Sequence, residues 1–161
     1  MKFDIKAKYP APTATVLKMF MDAEFHKKKL VALGITQSRV LEAGGSGDDF
    51  RIRIERKVPL AAPSLIQKFV PAQATVTSEE RWNKASKTGK VTIAPAGVPV
   101  DIKCTAKFAD DAGGCTITYS FDVNAKVPLV GGALEKFIAS DMQGKFADEA
   151  KAAITLLEPY R

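Results

Sequence analysis

The chain has 161 residues, 46% of them hydrophobic and 26% charged, with a formal net charge of +6. These are ordinary values for one soluble globular domain, residues 1–161, long enough to bury a real core. One histidine and two cysteines exclude most metal-ligand sets and histidine triads, and no apolar run is long enough to cross a bilayer.

Residues 1–9 alternate, with Phe3, Ile5, Ala7 and Tyr9 opposite Lys2, Asp4, Lys6 and Lys8. This predicts a half-buried strand and gives no sign of a secretory signal. Two cysteines without such a signal point to reduced thiols in a cytoplasm. Pro10-Ala11-Pro12 ends the strand and opens a short helix with Val16, Leu17, Phe20 and Met21 inward. Asp22 caps a second short helix through Phe25, Leu30, Val31 and Leu33, stopped by Gly34. The other face of that helix carries His26-Lys27-Lys28-Lys29, so His26 is expected at the surface.

From Gly34 the period becomes two. A strand through Val40 and Leu41 reaches the turn Gly44-Gly45-Ser46-Gly47-Asp48. The next has Phe50, Ile52, Ile54 and Val58 inward, and Arg56 shares their parity. Pro59 ends it, and residues 63–70 form a short helix or a wide loop. Residues 72–84 make another strand, with Ala74, Val76, Ser78, Glu80 and Trp82 on one face. Val91 and Ile93 follow, and Pro95 and Gly97 interrupt.

Residues 99–110 and 115–126 read as a hairpin. Centring its turn between Asp111 and Ala112 pairs Phe108/Cys115, Ala106/Ile117, Cys104/Tyr119, Ile102/Phe121 and Val100/Val123, all apolar or aromatic. The solvent side then contains one repulsive pair, Asp101/Asp122. Four residues separate Cys104 from Cys115 in this register, about 13 Å, too far for a disulfide. Last comes Val127-Pro128-Leu129-Val130-Gly131-Gly132, then a long helix with Leu134, Phe137, Ile138, Met142, Phe146, Ala150, Ala153, Ile154 and Leu157 on one stripe.

The order is strand, two short helices, about six strands, one long helix. A curved antiparallel sheet of about seven strands wrapped around the C-terminal helix satisfies it. Several short motifs stand in sequence: Tyr9-Pro10, Lys57-Val58-Pro59, Glu80-Arg81-Trp82, Gly97-Val98-Pro99-Val100, and Val127 to Gly132 with Glu135-Lys136 opening the last helix. In these the chain resembles the START and birch-pollen-allergen superfamily (SRPBCC, helix-grip). Within it the chain is most similar to a bacterial family of unknown function. The resemblance implies an α+β helix-grip fold with an internal cavity, and supplies no activity.

Such a cavity would be lined by Phe50, Ile52, Ile54, Val76, Trp82, Ile93, Ile102, Tyr119, Phe121, Ile138 and Met142; the alternative is a filled core. Arg56 and Glu80 sit at inward parity, where a lone charge is costly. They could pair with each other, or orient a ligand with Tyr119 and Ser78 assisting. The expected function is therefore binding or transport of a hydrophobic small molecule or lipid, with no cofactor and no metal. The alternatives are a cyclase- or hydrolase-type enzyme using Arg56, Glu80 and Tyr119, and a protein-binding adaptor like the Hsp90 activator. The Lys27-Lys28-Lys29 run could touch an anionic membrane surface. Nucleic acid is not expected, because the aromatics point inward rather than interleaving with the basic residues. A monomer or weak dimer is expected.

Overall fold

The alternating segments form one antiparallel sheet of seven strands, in the spatial order β1-β7-β6-β5-β4-β3-β2. The structure, a computed structural model, describes residues 1–161. The strands are β1 (Lys2–Tyr9), β2 (Ser38–Ser46), β3 (Asp49–Pro59), β4 (Gln73–Asn83), β5 (Thr88–Pro95), β6 (Val100–Asp111) and β7 (Gly114–Ala125). Helices α1 (Thr13–Phe20) and α2 (Ala23–Ala32) separate β1 from β2, and the long helix α3 (Gly131–Thr155) follows β7. The segment between Pro59 and Pro71 contains a single short turn of 3₁₀ helix, Gln67–Phe69. No helix is long and apolar enough to cross a membrane.

Local chemistry places the helices. The Asp110 carboxylate accepts from the Thr13 backbone N–H at 2.7 Å, serving an otherwise orphaned donor at the start of α1. Asp22 caps α2 by accepting from the Glu24 N–H at 3.0 Å. Gly34, at φ +72°, supplies the left-handed turn that ends the segment. At the start of α3, Glu135 accepts from the Ala125 N–H at 3.0 Å and lies 3.4 Å from the N-terminal ammonium. The other end of the chain is tied down as well. Tyr160 Oη donates to Asp22 at 2.6 Å, and Arg161 donates to the Pro10 carbonyl at 2.9 Å.

The hairpin has the expected faces but not the expected register. Phe108 stands opposite Ile117, Cys104 opposite Phe121 and Ile102 opposite Val123, a shift of two residues. The turn is tighter than expected, with Ala112-Gly113 linking the Asp111/Gly114 pair. The Asp111 carboxylate stabilises it by accepting from the Gly113 N–H at 3.1 Å and Thr116 Oγ1 at 2.7 Å. An even shift preserves every inward side chain, so alternation cannot distinguish the two registers. Charge can: the observed register sets Lys103 opposite Asp122 and Asp101 opposite Asn124, removing the repulsive pair. Both thiols are free and buried.

Helix α3 crosses the inner face and packs most closely on β7 and β1. Phe146 sets its ring edge-on to Tyr119 and Phe121, with centroids 5.1 Å and 5.2 Å away. At the other end of the sheet, Phe20 of α1 packs on Trp82, Phe25 and Phe108. The helix thus packs most closely on the β1–β7 side, and the largest remaining interior space lies toward β3–β6.

Candidate ligand-binding site

Three small cavities lie between α3, α2 and the sheet, and all three share Phe146 and Glu149 as walls. The largest, about 70 Å³, is walled by Val58, Leu60, Val70, Val76, Ile93, Ile102, Phe137, Ile138 and Met142, with Arg56, Asp141 and Lys145 among its polar groups. A second, about 40 Å³, is walled by Tyr9, Phe20, Phe25, His26, Lys29, Glu80, Trp82 and Tyr119. The third, also about 40 Å³, includes Lys29, Leu30, Ile54, Arg56, Ser78 and Glu80. A water needs roughly 10–15 Å³ of such space, whereas small-molecule sites span roughly 300–1,000 Å³. The interior is therefore divided and mostly filled, with Phe146 and Glu149 as the partition.

A larger groove of about 580 Å³ runs over the tips of β2–β5. Only Phe50 and Trp82 among its walls are hydrophobic, beside Arg51, Arg81, Asn83 and Lys90. That lining does not suit an apolar ligand.

The expected site residues separate into groups. Arg56, Val76, Ile102, Ile138 and Met142 meet at the largest cavity. Glu80, Trp82 and Tyr119 meet at the second, and Ile54 joins Arg56 and Glu80 at the third. Phe50 lines the surface groove instead, and Ile52 and Phe121 line none of the three. Both are buried core residues, and Phe121 is filled in by Phe146 and by Phe3, which stacks on it at 5.2 Å.

Arg56 and Glu80 do not pair. Arg56 stands opposite Val76 on β4, and the four residues from there to Glu80 span about 13 Å. Arg56 Nη1 instead donates to Glu149 Oε1 of α3 at 3.1 Å, while Lys29 of α2 donates to Oε2 at 3.3 Å. Burial disfavours charge on Glu149, but Lys29 and Arg56 outweigh it and hold its pKa down at about 2. Glu80 takes a different partner, accepting from Trp82 Nε1 at 2.9 Å. Burial raises the phenol pKa of both Tyr9 and Tyr119, and the nearby carboxylates add to the effect. Burial likewise pushes the Cys104 thiol up to about 12, which suits an inert core cysteine.

His26 corrects the sequence expectation. It is only 1% exposed, set against Phe25 and Phe50. Its Nε2 lies 2.7 Å from the Phe20 carbonyl. The basic run around it also divides: Lys29 turns inward to Glu149, Lys27 pairs with Glu24 at 2.9 Å, and only Lys28 is left without an ion-pair partner. The basis for membrane contact is correspondingly thin.

Glu149, Lys29, His26 and Tyr9 are site residues that the sequence pattern does not single out as such. Glu149 had a signal: it falls three residues after Phe146 and four before Ala153, an acid on the apolar stripe. His26 adjoins Phe25 and precedes Leu30 by four, so the same wheel carries it inward.

A family model for a protein of unknown function (DUF2505) matches residues 4–157, nearly the whole chain. The chain belongs to this family. A curated relative, the uncharacterized protein Rv0481c of Mycobacterium tuberculosis, is 26% identical over 152 residues, covering 87% of each chain. Among solved structures, TTHA0849 from Thermus thermophilus superimposes with a TM-score of 0.66 at 17% identity, over 99% of this chain and 98% of that one. Ara h 8.0201 gives 0.66 at 14% identity, over 99% and 98%. Norcoclaurine synthase from Thalictrum flavum gives 0.63 at 15% identity, over 97% and 84%. At such identities the likeness establishes the family's helix-grip, birch-pollen-allergen-like fold.

Proposed function

We propose that the protein binds a hydrophobic small molecule or lipid between α3 and the sheet, as a cytoplasmic carrier or receptor and not as an enzyme. The supporting observation is that three cavities with mainly hydrophobic or mixed walls converge on the same two side chains, Phe146 and Glu149. Moving the Phe146 ring would remove one of the two walls shared by spaces of about 70, 40 and 40 Å³. The largest cavity is walled in part by Leu60 and Val70, which flank the 3₁₀ turn. That short segment is the natural gate.

A catalytic reading with Arg56, Glu80 and Tyr119 has less support. The three line no common cavity, and the Arg56 guanidinium is engaged by Glu149. Native mass spectrometry of the purified protein, with organic extraction and a nonpolar fluorescent probe, tests the proposal. An apolar adduct or saturable probe binding is expected. A clean apo mass with no probe binding would contradict it.

A further inference from the structure

His26 is the only histidine of the chain, and the hydrogen bonding of its ring is half complete. The Phe20 carbonyl can only accept, so Nε2, 2.7 Å away, carries the proton. Burial lowers the pKa of the ring, the nearby Lys29 opposing charge as well, although Glu80 works in the other direction. The ring is then neutral, and Nδ1 is a bare lone pair. It is buried, and no group of the protein partners it. Leaving a buried acceptor unpaired is costly, and most such atoms in proteins are satisfied.

His26 lines the second cavity together with Glu80, Lys29, Tyr9 and Tyr119. At about 40 Å³, that space admits a small polar group and not a ring. Its neighbour of about 70 Å³, across Phe146, is walled mainly by aliphatic side chains, with Arg56, Asp141, Lys145 and Glu149 also on its wall. With the Phe146 ring displaced, the two spaces fit the head and body of one molecule.

We propose that this smaller cavity, where His26 Nδ1 is unpartnered by protein, receives the hydroxyl group of the ligand, which donates to Nδ1, so that the molecule bound is an apolar body carrying an alcohol or phenol. This rests on the binding function proposed above and narrows it to a ligand class. An ammonium head suits the cavity less well. The formal charges of Lys29 and Arg56 offset those of Glu80 and Glu149, and the Lys29 ammonium lies on the wall of this very cavity. A hydroxyl needs no countercharge, and it can accept from Lys29 or a tyrosine while it donates to Nδ1.

The test compares 2-naphthol with naphthalene by titration calorimetry on the full chain and on His26→Phe, which keeps an aromatic ring and lacks the acceptor. Satisfying one orphaned acceptor is worth about 3- to 10-fold in affinity. The expected result is that the unaltered protein prefers 2-naphthol by that factor and that His26→Phe loses the preference. A second measurement needs no variant. In long-range ¹H–¹⁵N spectra the single imidazole gives one set of signals, and its Nδ1 resonance should move with 2-naphthol and stay in place with naphthalene. Equal affinities and an unmoved Nδ1 resonance would overturn the hydroxyl site while leaving apolar binding intact. Failure of both compounds to bind would overturn the binding function itself and this inference with it.

Discussion

Arg56 of β3 and Glu149 of α3 meet at 3.1 Å across the interior, 93 residues apart in sequence, and Lys29 of α2 closes on the second carboxylate oxygen at 3.3 Å. One carboxylate therefore ties the sheet, the short helix and the long helix together. Its side chain is 18% exposed, against 18% for Arg56 and 12% for Lys29. Glu149→Ala would leave two half-buried cations facing each other. Breaking a buried pair costs about 3–5 kcal/mol, and the residual exposure here puts the loss at the lower end, about 3 kcal/mol. Urea unfolding should show a lower midpoint with an unchanged m-value.

The same carboxylate sets an acid limit. Its pKa falls from 4.5 to about 2 in the fold. A group held down in this way stabilises the protein fully above its unfolded value, and the contribution disappears as pH drops through the folded one. At about 1.4 kcal/mol per pH unit this amounts to about 3 kcal/mol, lost between about pH 5 and pH 2. Glu79, on the outer face, is likewise held at about 2 by Arg51 and Arg81, but those partners are 42% and 61% exposed and solvent screens them. Melting temperature against pH should fall steeply over this window. Added salt should flatten only the Glu79 share, and Glu149→Gln should flatten most of the remainder.

Trp82 and Gly89 form a cross-strand pair in which the indole lies directly over the glycine. A Cβ at position 89 would collide with the six-membered ring, and the same indole has its Nε1 fixed on Glu80. Gly89→Ala should cost about 1–3 kcal/mol through overpacking. Trp82 is the only tryptophan, so its emission maximum reports the displacement directly.

These contacts also mark where the sequence was legible. Period-two alternation and the α3 stripe carried the order of elements and the inward set, because burial of one face enforces both. The hairpin register was recoverable to within an even shift, and the tight turn and the Lys103/Asp122 pair decided the rest. His26 and Lys29 were obscured by the basic run in which they stand. The partner of Arg56 was not legible from local pattern, since Glu149 reaches it only once α3 has folded back across the sheet. Helix α3 also sits closer to β7 than a symmetric grip would place it, which is why Phe121 is core and Phe146 is the partition.

Phe146→Ala would remove that partition. A fully buried Phe→Ala change costs about 3–5 kcal/mol, and this half-buried ring should cost somewhat less, about 2–3 kcal/mol. In exchange the cavities merge, so affinity for a nonpolar fluorescent probe should rise even as the melting temperature falls. Loss of stability with no gain in probe binding would mean that the surrounding side chains collapse into the space.

The most direct test of the account is a methyl-detected NMR titration of the full chain with naphthalene. Saturable shifts are expected at Ile102, Ile138 and Met142, which line the largest of the three interior cavities, and none at the outward-facing Thr105 of β6. Unmoved interior methyls, or shifts confined to exposed Leu65 and Leu129, would contradict a ligand site beneath the helix.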